Sequence, residues 1–202
     1  MEYPNEVLRT YYAEQRAATI LPGEGWLLYG LAHTLRPELI VEIGTGDGCS
    51  TLWLAEGQRG CGMLYSIDVR ERDFARSWLD AAGLLPCVDL ACGDSHGEFG
   101  MEAARRLSRD EAPPTLMFFD GDHSAEGVVY DADVWLPLLP AGGVAVFHDA
   151  TRDDREYLGV AQVLDAIFDT HGLRRGLVFE HGCGYDAGGP HDNGLVIAQR
   201  GR

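Results

Sequence analysis

The chain contains no lysine, and all 16 of its basic residues are arginines. A mechanism that needs a lysine base, a lysine Schiff base or the lysine of a phosphate-binding loop is therefore excluded. Basic residues are also few beside 32 acidic ones, which gives a formal net charge of −16. Because a surface of this charge repels polyanions, we expect no nucleic acid among the partners of this protein.

Long apolar runs and paired cysteines are missing as well. No segment approaches the roughly 20 apolar residues that span a bilayer, so no membrane partner is expected. The N-terminal residues do not combine a basic region with an apolar one, which predicts no secretory signal and a cytoplasmic location. The cysteines are odd in number and form no C-x-x-C pair, so we interpret them as buried small residues in a reducing compartment. They are Cys49, Cys61, Cys87, Cys92 and Cys183.

Strand and helix patterns alternate along the chain. This alternation predicts a doubly wound, mostly parallel α/β sheet, and 202 residues with 46% hydrophobic content suffice for one full core. The last two predicted strands have no helix between them, so they should form an antiparallel hairpin. Seven strands are predicted, at residues 37–41, 63–69, 87–92, 115–120, 144–147, 176–180 and 194–198. Helices are predicted at residues 6–19, 23–35, 73–83, 98–109, 125–138 and 159–170, and from residue 50 onward. We expect a single domain over residues 1–202, with leading helices in 1–36 and a Rossmann-like core in 37–202.

Three glycines at alternate positions separate the first strand from a helix. Gly44, Gly46 and Gly48 allow a sharp strand-to-helix turn and let a ligand approach the backbone. A dinucleotide fingerprint, G-x-G-x-x-G, would require a third glycine where the chain has Cys49. The observed spacing is E-x-G-x-G-x-G, starting at Glu42. This spacing resembles the first motif of class I S-adenosylmethionine-dependent methyltransferases; a tight turn without a ligand is the alternative.

Three later segments carry a closer resemblance. They are residues 119–127 (FDGDHSAEG), 135–143 (WLPLLPAGG) and 146–149 (VFHD). They resemble a methyltransferase family that contains small O-methyltransferases of antibiotic sugar pathways and cephalosporin-hydroxylase-like proteins. The resemblance covers about residues 20–150, whereas the last fifty residues match in strand pattern only. It implies a Rossmann-like methyltransferase fold, S-adenosylmethionine as cofactor and a small-molecule hydroxyl as methyl acceptor.

Acidic residues follow several predicted strands, at the sheet edge where ligands of α/β proteins bind. Asp68 suits the ribose, because a carboxylate can accept two hydrogen bonds from a vicinal diol. By resemblance, Asp94 contacts the adenine amino group with Ser95 alongside, and Glu42 favours the cationic end of the cofactor. Helix capping is the alternative role of Asp68 and Asp94. The other expected cofactor contacts are Gly44, Thr45, Gly46, Gly48, Ser50, Gly93 and Asp120.

Members of the resembled family often bind a divalent cation at the ends of the fourth and fifth strands. Carried over to this chain, the metal ligands would be Asp120, His148 and Asp149. Relatives usually have a carboxylate or a carboxylate–amide pair where this chain has His148, and one imidazole shifts the preference from magnesium towards manganese, iron or zinc. The alternatives are a metal-free site in which His148 performs acid–base work and an ordinary structural role for His148.

Methyl transfer to a hydroxyl requires a group that removes the hydroxyl proton. Without lysine, this base must be a histidine or a carboxylate; by resemblance His123 is the first choice and Asp122 the second. His123 packing on the cofactor from the start of a helix is the alternative. The resemblance places the acceptor between the N-terminal helices, the loop at 151–157 and the loop at 181–193.

Two other functions remain open from the sequence. An NAD-dependent oxidoreductase would use the same glycine-rich turn, although the spacing disfavours it. A non-catalytic cofactor-binding domain would bind S-adenosylmethionine without transferring its methyl group. The sequence also leaves the oligomeric state open, a homo-oligomer included.

Overall fold

The computed structural model describes residues 2–14, 20–109, 112–150, 158–180 and 194–201. Within these residues, a seven-stranded sheet lies between two layers of helices. The strands are β1 (Leu39–Ile43), β2 (Met63–Asp68), β3 (Val88–Cys92), β4 (Leu116–Phe119), β5 (Val144–Phe147), β6 (Leu173–Glu180) and β7 (Gly194–Arg200). The α-helices are α1 (Glu6–Glu14), α2 (Pro22–Leu35), α3 (Cys49–Gln58), α4 (Asp73–Ala81), α5 (Glu98–Leu107), α6 (Ala125–Trp135) and α7 (Leu158–His171).

The strand order is β3-β2-β1-β4-β5-β7-β6. The first five strands pair in parallel, and β7 pairs antiparallel with both β5 and β6. The predicted fold class, a mostly parallel sheet closed by an antiparallel hairpin, is confirmed. The strand order reverses between β1 and β4, which is where ligands of such sheets bind.

Alternate side chains of the buried strands feed two separate cores. On β1, Val41 packs into the cluster covered by α5, α6 and α7, whereas Ile40 packs into the cluster covered by α1 to α4. All five residues of β1 are buried, as expected for a central parallel strand with helices on both faces. Because helices pack on both faces of β1, the residues at its carboxyl end are held in fixed positions for a binding site.

Several sequence-based boundaries differ from the structure. The first strand was expected at 37–41 but β1 extends to Ile43, because the polar Glu42 is buried within it. β6 begins at Leu173 rather than at 176, and its pairing with β7 shifts register between Arg175 and Leu177. The helix predicted to run to 138 becomes a 3₁₀ turn after Trp135, since Pro137 cannot continue an α-helix. Residues 15–19 of the first predicted helix lie outside the described residues.

The cysteines correct one expectation. Of the four that the structure describes, Cys49 is buried, Cys61 and Cys87 are half-buried, and Cys92 is exposed because it ends β3 at the edge of the sheet. None of these four forms a disulfide, and Cys183 is outside the described part of the chain. In the same described part, no helix has both the length and the apolar character needed to cross a bilayer.

Candidate functional site

A cavity of about 550 Å³ opens at the carboxyl ends of β1 to β5, a usual size for a small-molecule site. The turns after these strands line it, together with Tyr11 and Ile20 from the N-terminal part of the chain. Most of the predicted site residues meet here: Gly44, Thr45, Gly46, Ser50, Asp68, Asp94, Ser95, Asp120, Asp122, His123, His148 and Asp149. Glu42, Gly48 and Gly93 do not line the cavity.

The three glycines of the first turn serve different purposes. A Cβ on Gly44 would lie 2.0 Å from the carbonyl oxygen of Asp120, and a Cβ on Gly48 would lie 2.7 Å from the Cβ of Ala75. These two glycines therefore let β1 approach β4 and let the turn pack on α4. Gly46 has a φ of 52° and open space beside it, so this is where the bare backbone faces the cavity.

Glu42 supports the glycine turn from inside the protein. Its Oε2 accepts hydrogen bonds from the hydroxyls of Thr51, at 2.7 Å, and Ser66, at 2.6 Å. Burial raises the pKa of Glu42 to about 7, although the hydroxyls of Ser50, Ser66 and Thr51 act in the opposite direction. Glu42 thus ties the start of α3 to β2 beneath the cavity.

The Asp68 carboxylate is held by both the glycine turn and its own loop. Its Oδ2 accepts the backbone N–H of Gly46 at 3.0 Å, and its Oδ1 accepts the backbone N–H of Arg70 at 3.1 Å. The guanidinium of Arg72 donates to the same Oδ1 at 2.7 Å and lines the cavity beside it. These contacts hold the Asp68 carboxylate in the wall of the cavity, where a diol could reach it.

The turn after β3 is anchored by a buried acid on α6. Ser95 donates its hydroxyl to Oδ1 of Asp131 at 2.5 Å, and Nδ1 of His96 lies 3.2 Å from the same oxygen. Trp135 donates its indole N–H to the carbonyl of Ser95 at 2.9 Å. Burial raises the pKa of Asp131, opposed by its contacts with Ser95 and His96. Asp94 is exposed at the rim of the cavity.

Two carboxylates and two imidazoles meet at the ends of β4 and β5. Oδ1 of Asp120 lies 3.0 Å from Nδ1 of His148 and 3.3 Å from Nε2 of His123. Oδ2 of Asp149 lies 3.4 Å from the same His148 nitrogen and 3.3 Å from the same His123 nitrogen. The fold therefore brings into contact four residues that were predicted from the sequence as catalytic or metal-binding.

The charges of this cluster shift the pKa values of its members. Burial raises the pKa of Asp120, but His148 and His123 outweigh it and leave that pKa at about 2. Burial lowers the pKa values of both histidines, but Asp120 and Asp149 outweigh it and raise them, most strongly for His148. The two imidazoles therefore hold Asp120 in its ionised form.

Asp122 is turned away from this cluster. Its Oδ1 accepts the backbone N–H of Ser124 at 2.8 Å, and a Cβ on Gly127 would lie 2.2 Å from its carboxylate. Its side chain thus packs against the first turn of α6, whose N-terminus is capped by Ser124. His123 is the residue of this segment that contacts Asp120 and Asp149.

The polar residues of the site that sequence reasoning missed include Glu24, Arg72 and Asp131. Glu24 is fully buried at the start of α2, and its Oε2 lies 3.4 Å from Nε2 of His148. The sequence offered only weak signals that these residues belong to the site. Glu24 is an acidic residue in the first turn of a helix, and Arg72 lies four residues after Asp68. Asp131 shares a helix face with the apolar Val128 and Trp135. The predicted acceptor loops at 151–157 and 181–193 lie outside the described residues.

Comparisons with known proteins agree with this geometry. Residues 41–150, more than half of the chain, match the family model described as a methyltransferase domain. A protein of Mycobacterium sp. (strain JLS), named "Putative O-methyltransferase", is 31% identical over 196 residues, which cover 91% of this chain and 80% of that protein. For O-methyltransferase relatives of Mycobacterium tuberculosis, the match covers 59% of their length.

Solved structures share the fold at lower identity. Cofactor-bound Rv0187 from MTB superposes with a TM-score of 0.77 and 22% identity, covering 98% of this chain and 91% of that one. The O-methyltransferase TomG from Streptomyces achromogenes, in complex with SAM, has a TM-score of 0.72 and 21% identity over the same shares. From the family-model match and the mycobacterial relative, the chain belongs to the class I S-adenosylmethionine-dependent O-methyltransferases.

Proposed function

We propose that this protein transfers the methyl group of S-adenosylmethionine to a hydroxyl of a small molecule, assisted by a divalent cation. The observation that carries the proposal is one cavity that joins a glycine-rich nucleotide-type turn to a cluster of carboxylates and imidazoles. Relatives are named O-methyltransferases, and TomG is described with SAM bound, which supports the same chemistry here. These relatives do not support the NAD-dependent alternative.

The nucleoside would occupy the part of the cavity between β1, β2 and β3. Asp68 would accept the ribose hydroxyls, and the turn containing Asp94 and Ser95 would contact the adenine. The start of α3, near Ser50, offers backbone N–H groups to the carboxylate of the cofactor. The sulfonium would then lie towards β4, on the side of the cavity where His123 and Asp120 are found.

The protein's own residues would mainly position the reactants and move one proton. Charge is largely cancelled when a sulfonium methyl passes to a nucleophile, so alignment and exclusion of water matter most. We propose His123 as the general base, because it lines the cavity and Asp120 and Asp149 orient its ring. The two carboxylates strengthen this imidazole as a proton acceptor.

The donor set at the ends of β4 and β5 fits a divalent cation. Single donor atoms of Asp120, His123 and Asp149 all lie within 4.8 Å of one another, and Nδ1 of His148 is 3.0 and 3.4 Å from the two carboxylates. Adjacent ligands of an octahedral ion bound at ~2.1 Å are themselves ~3.0 Å apart. When bound, the cation would lower the pKa of the acceptor hydroxyl and offset the carboxylate charge.

Both histidines could supply the imidazole ligand, and we propose that His148 does so with Asp120 and Asp149. The His148 side chain is 5% exposed and that of His123 is 30% exposed, so His148 is the more enclosed of the two. This choice leaves His123 for the proton. One imidazole with two carboxylates favours manganese, iron or zinc over magnesium.

A transfer assay with labelled S-adenosylmethionine tests the proposed function. Hydroxylated sugars, phenols and polyketides should be offered with and without Mg²⁺, Mn²⁺, Fe²⁺ or Zn²⁺. We expect the label to appear on a hydroxyl, and His123→Ala to lower kcat by about 10²- to 10⁴-fold. His33→Ala, an exposed histidine of α2, is the control and should retain activity. Absence of transfer under every condition would refute the proposed function, and full activity of His123→Ala would refute the role of His123 as the base.

A further inference from the structure

Glu24 is a carboxylate buried more deeply than helix capping requires. Its Oε2 accepts the backbone N–H of Leu21 at 2.7 Å, and its exposed fraction is 0%. Its Oε1 is also buried and has no hydrogen-bond partner within the part of the chain described here. A buried carboxylate is costly unless a charged or hydrogen-bonding group faces it. The group that faces the Glu24 carboxylate therefore indicates what this side chain does.

That group is the imidazole of His148, whose two nitrogens point in opposite directions. Nε2 lies 3.4 Å from Oε2 of Glu24, whereas Nδ1 lies 3.0 Å from Asp120 and 3.4 Å from Asp149. The ring also packs edge-on against Phe118, with their centroids 6.2 Å apart. His148 thus stands between one carboxylate behind it and a carboxylate pair in front.

A histidine that binds a metal through one nitrogen usually donates its other ring N–H to a carboxylate. This outer contact fixes the tautomer and the orientation of the ring and makes the ligating nitrogen more basic. Glu24, His148 and the Asp120–Asp149 pair have this arrangement. A carboxylate at position 148 would not need such a partner, so Glu24 matches the imidazole in particular.

We propose that Glu24 is a positioning residue that accepts the Nε2–H of His148 and so presents Nδ1 to the cation site. The inference rests on the cation in the proposed function. This role makes the leading helix α2 part of the site. Glu24 in the first turn of α2 would hold His148, the proposed metal ligand at the end of β5. The Glu24 carboxylate itself is fully buried and does not line the cavity, so it would not touch the cation or the reactants.

Mn²⁺ binding to the full chain tests this role without the acceptor. Glu24→Gln keeps the shape of the side chain and an oxygen for the Leu21 N–H, but it removes the charge that faces His148. We expect the Kd for Mn²⁺ to rise by about 10- to 100-fold in this variant. The Kd for S-adenosylhomocysteine should stay within about twofold of the wild-type value. Glu38→Gln is the matched control and should bind Mn²⁺ normally. It removes an exposed charge that immediately precedes β1, at the end of the strand away from the cavity.

Pulsed EPR of the Mn²⁺ complexes supplies a signature that a purely structural role would not change. The wild type should show coupling to one imidazole nitrogen, which His148→Ala removes and His123→Ala retains. Glu24→Asp, shorter by one methylene, should have intermediate affinity and serves if Glu24→Gln unfolds.

The outcomes separate this inference from the proposed function. Wild-type Mn²⁺ affinity in Glu24→Gln, or loss of the nitrogen coupling in His123→Ala instead of His148→Ala, overturns the role of Glu24 and leaves a cation site. No Mn²⁺ affinity in the wild type overturns both the inference and the cation. S-adenosylhomocysteine binding in the same samples then decides whether the methyltransferase function stands.

Discussion

Gly44 combines a backbone conformation and a contact that exclude other residues. Its φ is 93°, and a Cβ would lie 2.0 Å from the backbone oxygen of Asp120, which cannot move aside without shifting β4. We expect Gly44→Ala to lower the free energy of unfolding by on the order of 3 kcal/mol, measured by urea denaturation.

Gly46→Ala is the matched control for this prediction. Gly46 also has a positive φ, 52°, but nothing lies within 4 Å of a Cβ built on it. The substitution should cost only the left-handed conformation, about 1 kcal/mol. Equal losses for Gly44→Ala and Gly46→Ala would show that the approach of β1 to β4 is not what requires glycine.

Glu42 should make the stability of the protein fall as the pH rises. Burial raises its pKa from 4.5 to about 7, so between these values the native state keeps a proton that the unfolded chain releases. The resulting loss is about 3 kcal/mol once the pH exceeds the folded pKa. Glu42→Gln cannot ionise and retains an acceptor for Thr51 and Ser66.

The measurement is urea unfolding of both proteins at pH 5 and at pH 8. The free energy of unfolding of Glu42→Gln, relative to the wild type, should rise by up to about 3 kcal/mol between the two values. An unchanged difference between the two proteins would mean that Glu42 is ionised in the native state at both pH values.

The binding turn after β3 depends on a helix that follows the next strand. Asp131 of α6 accepts from Ser95 and His96, so Asp131→Ala would leave two polar side chains of the cavity wall without their acceptor. We expect this change to weaken S-adenosylhomocysteine binding about tenfold, as measured by calorimetry, and to destabilise the fold by about 1–3 kcal/mol.

Asp133→Ala is the control on the same helix. Asp133 is exposed and bonds to His171 rather than to the cavity wall, so its removal should leave cofactor affinity unchanged. If Asp131→Ala binds S-adenosylhomocysteine as the wild type does, α6 does not support the nucleoside site.

The order and type of the described elements could be predicted because each element has its own periodic pattern. The absence of a helical sequence pattern between the last two predicted strands correctly indicated the antiparallel hairpin. The boundaries of the elements were less predictable, because strand pairing decides them. β1 begins where Leu39 pairs with Met63. It continues through the buried Glu42, although an acidic residue in the sequence suggests the end of a strand. The bulge between Arg175 and Leu177 likewise depends on β7.

The candidate site was predictable where chain order and strand direction sufficed. The ends of parallel strands meet at one edge, so Asp68, Asp120 and Asp149 could be placed together from the sequence. Glu24 and Asp131 could not, because their contacts with His148 and Ser95 depend on how helices pack across the sheet. Buried acids on helices look like solvated ones until that packing is known.

The charge of the whole molecule should oppose its compact state. Thirty-two acidic residues against 16 arginines give a net charge of −16, and self-repulsion of this size favours expansion. Raising NaCl from about 10 mM to about 300 mM shortens the screening length severalfold, so we expect the thermal midpoint to rise. A falling midpoint would mean that ion pairs such as Arg72–Asp68 outweigh the general repulsion.

At the scale of the whole molecule, the sheet topology creates a cavity where the two halves of the fold meet. The strand order reverses between β1 and β4, and the glycine turn and the acid–imidazole cluster follow these neighbouring strands. The central claim is that this cavity holds S-adenosylmethionine.

Calorimetric titration of the purified protein with S-adenosylmethionine, S-adenosylhomocysteine and NAD tests that claim most directly. We predict saturable binding of the first two at one site per chain and none of NAD. Asp68→Ala should weaken both by about 10- to 100-fold, through loss of a charged hydrogen-bond acceptor. Binding of NAD, with no affinity for S-adenosylmethionine or S-adenosylhomocysteine, would contradict the account.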